Sequence, residues 1–471
     1  MNLDEELDVK RGLAVTLLVV LTILGASCGR SDDGLDDGGT DSSTTAAPSA
    51  CEGVALQATD TGVTSDTITI QVTADTGSPL APGLFQGNVD AMKGFEKYIN
   101  DNGGLACRKL KLETWDSKLS PDESKNGQIN ACDTALALVG SNSLFNPDVK
   151  EMETCANAAG EPIGIANVSA LSNDVNEQCS LHTFTIQLTS EPCQSDGTPI
   201  TGQRDLTAFV GQVDWFQKNV ESSLVGLYLV PGDLPTTIAS ATPSIVAQAN
   251  AGVDWIGAVK VSPREEQSAY TPRIQTLRNG NANYVFDGSN DAVMINIRRE
   301  AAAQALDSVK VWSCSLACYT DKFKGAGSVV DGTYTWMQFL PFEDKGSNQE
   351  LDNYLGAVET PDAFGAQAWM AGVLFQQAVN QVVEARGPNG ITRASLLEAL
   401  NSIDSFDANG WMGPKDPKGG AKGTSDCQVI LTINGGEFER VFPTEKGTFD
   451  CDAGYVATVN IDPAVESAKV Q

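Results

Sequence analysis

The sequence predicts an α/β protein made of two doubly wound parallel-sheet lobes. Short β-branched runs alternate with helical segments along most of the chain, beginning with a strand from Thr67 to Val72 and a helix from Met92 to Asn100. Alternation on this scale is typical of βαβ units, in which the strands are parallel. The roughly 410 residues that follow residue 61 exceed the size of a usual single core, so two lobes are expected.

The remaining elements continue this alternation. In the first half, further strands are expected from Leu110 to Trp115, Ala135 to Val139 and Ile163 to Ala166, separated by helices from Ser124 to Thr134 and Val149 to Ala158. In the middle of the chain, strands are expected from Leu224 to Val230, Trp255 to Val261, Tyr284 to Phe286 and Lys310 to Trp312. Helix starts are marked by a capping residue before proline, as at Ser120-Pro121, Thr242-Pro243 and Thr271-Pro272.

The N-terminal segment indicates export from the cytoplasm. Lys10 and Arg11 precede an apolar run from Leu13 to Leu24, and small residues lead from there to Cys28. This order is typical of a secretion signal, and the run is shorter than the ~20 residues that a membrane-spanning helix needs. Cys28 resembles the lipidated cysteine of a bacterial lipobox, which predicts a signal peptide over 1–28 and a lipid tether; an uncleaved anchor or plain secretion is the alternative. Residues 29–61, rich in Gly, Ser, Thr and Asp, are expected to be a flexible linker.

Cysteine usage agrees with an oxidising compartment. Besides Cys28 the chain has ten cysteines, namely Cys51, Cys107, Cys132, Cys155, Cys179, Cys193, Cys314, Cys318, Cys427 and Cys451. An even set outside the cytoplasm indicates five disulfides. The sequence does not determine the pairing; the expected pairs are Cys51–Cys107, Cys132–Cys155, Cys179–Cys193, Cys314–Cys318 and Cys427–Cys451.

Metal or redox chemistry is the alternative use of these cysteines. The chain has a single histidine, His182, and no Cys-x-x-Cys motif, so neither a metal site nor a cofactor is predicted. Cys314 and Cys318 stand four residues apart at a strand end. We expect this pair to be a structural staple, with a redox switch as the other interpretation.

Charge and motifs argue against two other classes of function. The net charge is −30 at pH 7, whereas binding to nucleic acid or to an anionic membrane surface requires clustered Lys and Arg. An enzyme is not predicted either, because the chain has no Gly-x-Ser-x-Gly nucleophile elbow and His182 lies in a strand-like run. The acidic excess is itself typical of a soluble, self-repelling surface.

Several motifs follow one another in a specific order along residues 62–460. Gly62 to Ile70 forms an opening strand, Thr76 to Leu80 a Gly-Ser-Pro-Leu loop before the first helix, and Ile99 to Gly104 an Asn…Gly-Gly turn. Near the C-terminus, Asp407 to Pro414 ends in a Gly-Pro turn. This series resembles the type I periplasmic binding proteins, in particular the solute receptors of the branched-chain amino acid class.

The resemblance implies two lobes joined by three crossover strands, with a solute enclosed between the lobes. It implies a first lobe over 62–188 plus 333–408 and a second over 200–328 plus 412–460, with hinges near 189–199, 329–332 and 409–411. It also implies a function, that of the extracytoplasmic solute-binding component of an ABC importer. Such a protein is a monomer, tethered here by lipid, that delivers a small polar solute, an amino acid or related amide, to a membrane permease. A lipoprotein that presents its ligand to a sensor or regulator is the alternative.

Candidate site residues follow from a general rule of open parallel sheets, whose ligands bind beyond the carboxyl ends of the strands. In the first lobe the candidates are Ser141, Asn142 and Ser143, which suit a ligand carboxylate, and Ser169 and Ser172, in a loop where the family holds an α-amino group. In the second lobe they are Asp233, Ser289, Asn290 and Tyr319. The alternative is that these are ordinary turn, cap and core residues.

The second lobe departs from the family at one point. Amino-acid-binding members often carry an acid in the loop after the strand that matches Lys310 to Trp312, and this chain has the run from Cys314 to Cys318 there. A buried ammonium group requires a carboxylate partner, and Asp233 is the candidate substitute. The departure leaves room for a different solute, such as an amide, a urea-like compound or an aromatic acid.

Overall fold

The computed structural model describes residues 51–79, 81–187, 190–233, 235–419 and 423–471. The predicted signal peptide with Cys28 and most of the predicted linker lie outside the described residues, as does part of the predicted hinge near 189–199. Within the described residues, no helix combines the length and the apolar character that crossing a membrane requires.

A six-stranded sheet holds the N-terminal part of the chain. Its strands are β1 (Thr67–Ala74), β2 (Lys109–Asp116), β3 (Ala137–Val139), β4 (Asn142–Ser143), β5 (Ala166–Ser172) and β6 (Thr183–Gln187). The order is β2-β1-β3-β5-β6, and the short β4 continues the line of β3 between β1 and β5. All of these pairings are parallel, and the connections contain the helices α1 (Gln86–Asp101), α2 (Pro121–Thr134), α3 (Lys150–Thr154) and α4 (Val175–Cys179).

A second sheet is formed by the later part of the chain. Its strands are β8 (Leu224–Pro231), β9 (Val253–Val261), β10 (Tyr284–Asp287), β11 (Val311–Cys314), β12 (Thr333–Met337), β13 (Cys427–Asn434), β14 (Glu437–Phe442) and β15 (Asp450–Cys451). A separate two-stranded ribbon is formed by β7 (Arg204–Phe209) and β16 (Val456–Ile461). The order β9-β8-β10-β11-β12 is parallel, and β13 and β14 are added antiparallel. The helices of this part are α5 (Gly211–Asn219), α6 (Pro235–Asn250), α7 (Thr271–Asn279), α8 (Asp291–Ala303), α9 (Asp321–Lys324) and α13 (Pro463–Ser467).

Three further helices return to the first sheet, namely α10 (Gln349–Ala357), α11 (Ala363–Arg386) and α12 (Arg393–Asn401). The central one, α11, packs against α1 and β5, with Phe95 of α1 edge-to-face on Trp369 at 5.2 Å between ring centroids. Asp362 caps its start by accepting a hydrogen bond from the Gly365 N–H at 2.6 Å. Gly387, with φ +73°, follows its last residue, a conformation that glycine adopts without a Cβ penalty.

The chain passes between the two sheets three times, after β6, after β12 and after α12. The passages lie side by side: Phe339 of the second forms a β-bridge with Met412 of the third, and Phe184 of β6 forms one with Lys418. The buried Trp411 donates its indole N–H to the Leu340 carbonyl at 3.0 Å and so ties the second and third passages together. The predicted fold class, two parallel-sheet lobes joined by three crossovers, is confirmed.

Four local predictions differ from the structure. Most of the strand predicted at 163–166 is irregular backbone, because Gly164 has φ +80° and the Ile163 N–H bonds back to Glu161; the strand starts at Ala166, so the loop predicted to hold Ser169 and Ser172 is β5 itself. Residues 333–337, assigned above to the first lobe, form β12 and pair with β11 in the second sheet. The outer limits of the two lobes stay a prediction.

Pro243 does not begin a helix as predicted but lies inside α6. Proline has no N–H, so it cannot bond to the carbonyl four residues earlier, which is that of Ala239. The Thr242 hydroxyl supplies the missing donor to this carbonyl at 2.8 Å. By contrast, α2 begins at Pro121 behind the Ser120 cap, as the sequence predicts.

All five expected cysteine pairs are disulfides in the structure. Cys179–Cys193 ties α4 to the first passage between the sheets, and Cys427–Cys451 joins β13 to β15. Cys314–Cys318 lies fully buried at the end of β11, within the hydrophobic core, where solvent-borne thiols do not reach it. The structure thereby favours the staple over the redox switch at this pair.

Candidate solute-binding site

The predicted first-lobe residues lie buried at the carboxyl edge of the first sheet, where three of them bond to neighbouring side chains and to the backbone. Ser141 accepts the Thr73 N–H at 3.1 Å, and its carbonyl accepts the Ser169 hydroxyl at 3.2 Å. Ser143 shares a hydrogen bond with the Ser124 hydroxyl. These three serines are therefore engaged in holding the strand ends together.

Asp75 is the centre of this edge. Its carboxylate is fully buried and accepts hydrogen bonds from the Ser117 hydroxyl at 2.7 Å, the Leu119 N–H at 2.6 Å and the Leu144 N–H at 2.8 Å. It thus joins the ends of three successive strand–loop connections. Two predicted residues here have side-chain atoms without a partner among the described residues, namely both amide atoms of Asn142 and the hydroxyl of Ser172.

The predicted second-lobe residues are already engaged within the protein. Asp233 is exposed and forms an ion pair with Arg264 at 3.0 Å, because β8 and β9 run in parallel and end side by side. Its role as the counter-ion of a ligand ammonium group stays a prediction, which this exposed ion pair does not favour. Asn290 caps α8 by accepting the Val293 N–H at 3.3 Å, and the Ser289 N–H bonds to the buried Asp287 carboxylate at 2.7 Å.

Tyr319 is a core residue. Its ring packs between Phe342 and Phe438, at 5.0 and 4.8 Å between centroids, and its hydroxyl donates to Glu343. Burial, together with the neighbouring Glu343, raises the pKa of the Tyr319 hydroxyl well above its usual range. Its predicted contact with a ligand stays a prediction; in the structure its ring and hydroxyl are engaged within the core.

A cavity of about 170 Å³ lies where the three passages meet. We call it the crossover cavity. Its wall is formed by Ile186 and Gln187 at the end of β6, Phe209 of β7, Trp336 of β12 and Lys415 of the third passage, with Gln338, Pro243, Ala208, Gly423 and the hydroxyl-bearing Ser190, Thr207, Ser240, Ser244 and Thr424. None of the nine predicted site residues lines it.

Among the described residues that line this cavity, Lys415 is the one with a charged side chain. Its side chain is 7% exposed, and its ammonium group donates to the Ile186 carbonyl at 2.9 Å. No carboxylate hydrogen-bonds to it among the described residues; Asp416 acts on it only through its field. Burial lowers the pKa of Lys415 to about 7, because the charged form loses its hydration, and Asp416 partly offsets this shift.

An aromatic pair forms another part of the wall. Phe209 and Trp336 stack with ring centroids 4.7 Å apart and an angle of 18° between the planes. The Trp336 indole N–H is buried and has no partner among the described residues. Gln338, on the same strand end, is fixed by donating to the Ser425 carbonyl at 2.6 Å. The cavity therefore combines an apolar face with a small set of polar groups, as small-molecule sites do.

Comparison with known families decides what this arrangement belongs to. The family model described as "Periplasmic binding protein" matches residues 67–437, more than three quarters of the chain. The chain belongs to the periplasmic binding protein family. It is therefore an extracytoplasmic type of protein that closes two lobes on a small solute, as the resemblance predicts. Among curated proteins, none matches the chain.

Solved structures share the fold of this periplasmic binding protein at low sequence identity. An ABC transporter substrate-binding protein from Aeropyrum pernix has a TM-score of 0.61 and 13% identity, over 86% of this chain and 100% of that one. A fatty acid ABC transporter substrate-binding protein from Thermomonospora curvata has a TM-score of 0.59 and 14% identity, over 84% of this chain and 96% of that one. A leucine-binding protein from Thermotoga maritima has a TM-score of 0.57 and 12% identity, over 79% of this chain and 97% of that one. At these identities the likeness establishes the fold alone.

The residues of the crossover cavity were not among the sequence predictions for this family member. Phe209, Trp336 and Lys415 lie far apart in the chain, and each belongs to a different passage or strand. One signal was available. Lys415 directly follows the Gly413-Pro414 turn that carries part of the resemblance.

A second buried ionisable group lies in the first lobe. Glu177 of α4 accepts the Asn167 amide N–H at 2.8 Å. Burial raises the pKa of Glu177 to about 8, an effect that Asn167 and Asn146 reduce and Asp174 reinforces. Unlike Lys415, this group lies away from the crossover cavity and is packed among neutral amides.

Proposed function

We propose that this periplasmic binding protein is the solute-binding component of an ABC importer and that its solute occupies the crossover cavity. The observation that carries this proposal is the composition of the cavity wall. Ile186 comes from the first sheet, Trp336 from the second and Lys415 from a crossover. A ligand that contacts all three has a different affinity for open and closed lobes, which is the requirement for ligand-driven closure.

The descriptions of similar structures support the importer role and leave the solute open. One of them is described as a fatty acid transporter component and another as a leucine-binding protein. We propose that this chain likewise delivers its solute to a membrane permease and acts as a monomer. No nucleic-acid partner is proposed, in keeping with the net charge of −30.

We further propose that lipid on Cys28 tethers the protein to the outer face of the cell membrane. Replacing Cys28 by Ser should move the protein from the membrane fraction to the soluble fraction. Retention of the variant in the membrane fraction contradicts the lipid tether.

A thermal-shift panel tests the solute-binding role. The purified protein is melted with amino acids, short amides, urea, polyols and monocarboxylates. A solute at about 1,000 times its dissociation constant stabilises the folded state by about 4 kcal/mol, which raises Tm by several degrees. Tryptophan fluorescence should change in parallel, because Trp336 lines the cavity. A flat result across the panel, with unchanged fluorescence, contradicts the proposal.

A further inference from the structure

The crossover cavity has an unbalanced charge. Its wall carries the Lys415 ammonium group and, among the described lining residues, no Asp or Glu. An ammonium group has three N–H donors, and only the bond to the Ile186 carbonyl is present for this one among the described residues. Taking such a group out of water costs several kcal/mol unless an opposite charge accompanies it.

We infer that the solute of the crossover cavity is a small monocarboxylate with an apolar or aromatic body and no ammonium group. The inference rests on the proposed function and names the class of solute. The carboxylate would pair with the Lys415 ammonium group, and the body would lie against the stacked rings of Phe209 and Trp336.

The polar groups of the wall favour an anion over a zwitterion. The Trp336 indole N–H is a second donor, buried and without a partner among the described residues, and indole can only donate. An α-amino acid would bring an ammonium group into a wall that offers it hydroxyls and no carboxylate. Asp233, the candidate counter-ion from the sequence, is paired with Arg264 at the surface.

The size of the cavity indicates the scale of the body that fits inside it. An engineered protein cavity of about 150 Å³ accepts one benzene molecule, and the crossover cavity is about 170 Å³. A carboxylate with one aromatic ring or a short alkyl chain matches this volume. The stacked pair at 4.7 Å supplies a flat apolar surface for either body.

A purely structural role explains Lys415 less well. A single hydrogen bond to the Ile186 carbonyl does not offset the loss of hydration, and this loss lowers the pKa of Lys415 to about 7. An apolar side chain of similar length would fill the same space without this cost. Nearby Lys418 shows the usual alternative, since it is only partly buried and pairs with Asp404 and Asp416.

Isothermal titration calorimetry on the purified protein tests the inference with matched probes. Benzoate and hexanoate are compared with benzamide and hexanamide, which keep the shape and remove the charge, and with phenylalanine, which adds an ammonium group. The variants are Lys415→Met, Trp336→Phe and, as a control outside the cavity wall, Lys418→Met. The far-ultraviolet circular dichroism and Tm of each variant establish that it is folded.

We expect at least one carboxylate to bind 10-fold or more tightly than its amide and than phenylalanine. Lys415→Met should weaken it at least about 30-fold, the equivalent of about 2 kcal/mol for truncating one partner of a buried charge pair. Trp336→Phe, which keeps a stacking ring and removes the N–H donor, should weaken it about 10-fold, and Lys418→Met less than 2-fold.

The outcomes separate this inference from the proposed function. If an amide or an amino acid binds as tightly as the carboxylates, or if Lys415→Met keeps full affinity, the carboxylate inference is overturned while the solute-binding role stands. The same holds if neither carboxylate binds and another solute of the thermal-shift panel does. If no solute of that panel binds, the proposed function itself is overturned.

Discussion

The carboxyl edge of the first sheet and the crossover cavity both hold a charged side chain out of water. The two regions differ in how far the chain itself supplies hydrogen-bond partners to that charge. At the sheet edge, the carboxylate of Asp75 receives three hydrogen bonds from the chain itself. In the cavity, the ammonium group of Lys415 has one hydrogen bond and no carboxylate partner among the described residues. The Asp75 carboxylate is satisfied by the chain itself, while the Asn142 amide and the Ser172 hydroxyl at the same edge have no partner among the described residues. Lys415, by contrast, lacks the opposite charge that burial of a cation requires.

This difference teaches where to look for a solute in such a fold. Serine and asparagine at strand ends are as useful for closing loops as for binding ligands, and Ser141 and Ser143 do the former. A buried charge without a partner has no comparable structural use. The charge imbalance at Lys415 is therefore the observation on which the proposed site in the crossover cavity rests.

The largest loss of stability is expected from removing the Asp75 carboxylate at the edge of the first sheet. Asp75→Ala leaves two backbone N–H groups and the Ser117 hydroxyl without their acceptor, in a place that water does not reach. We expect a loss of about 3–5 kcal/mol in the free energy of unfolding, measured by denaturant titration. Asp116→Ala is the matched control. It removes the acceptor of three backbone N–H groups at a partly exposed site, where water replaces it, and should cost about 1 kcal/mol.

The buried Lys415 ammonium group should make the stability of the protein depend on pH. The folded-state pKa of Lys415 is about 7, below the ordinary value near 10.4, so the unfolded chain binds more protons between these values and stability rises with pH. Without solute, the free energy of unfolding of the wild type should rise by about 2 kcal/mol from pH 7 to pH 9 relative to that of Lys415→Met. Both proteins carry Asp416. Parallel stability curves for the two proteins contradict a buried, uncompensated Lys415.

Glu177 in the first lobe gives the opposite slope. Its folded-state pKa of about 8 lies above the ordinary value near 4.3, so the folded protein binds more protons between these values and stability falls as pH rises. From pH 5 to pH 7, the free energy of unfolding of the wild type should fall by about 2 kcal/mol relative to that of Glu177→Gln, a substitution that keeps the side-chain shape and the hydrogen bond to Asn167. Chemical denaturation at both pH values measures the difference, and equal slopes contradict it.

The smallest effect is expected at the residue that the sequence proposed as an ammonium partner. Asp233→Asn removes an exposed ion pair with Arg264, which contributes no more than about 1 kcal/mol. Solute affinity should change less than 2-fold, because Asp233 does not line the crossover cavity. A large loss of affinity in titration calorimetry would show that Asp233 belongs to the binding site, and it would contradict the placement of the solute in the crossover cavity.

Much of the fold was predictable because its causes are local. The Ser120-Pro121 cap starts α2 as expected, and the alternation around Thr67–Ala74 gives a strand of the parallel sheet. Prediction failed where distant partners decide. The segment 333–337, which the resemblance assigned to the first lobe, joins the second sheet by pairing with β11.

The sequence by itself determined the alternation of strands and helices, the even set of cysteines and the resemblance that implied a lobed solute receptor. Each of these is a property of neighbouring residues or of composition. Only the tertiary structure decided the site. Asp233 is neutralised by Arg264 because two parallel strands end together, and Lys415 meets Trp336 because three passages run side by side. Which charges remain unpaired is a property of the folded chain, since pairing depends on distances that sequence separation does not set.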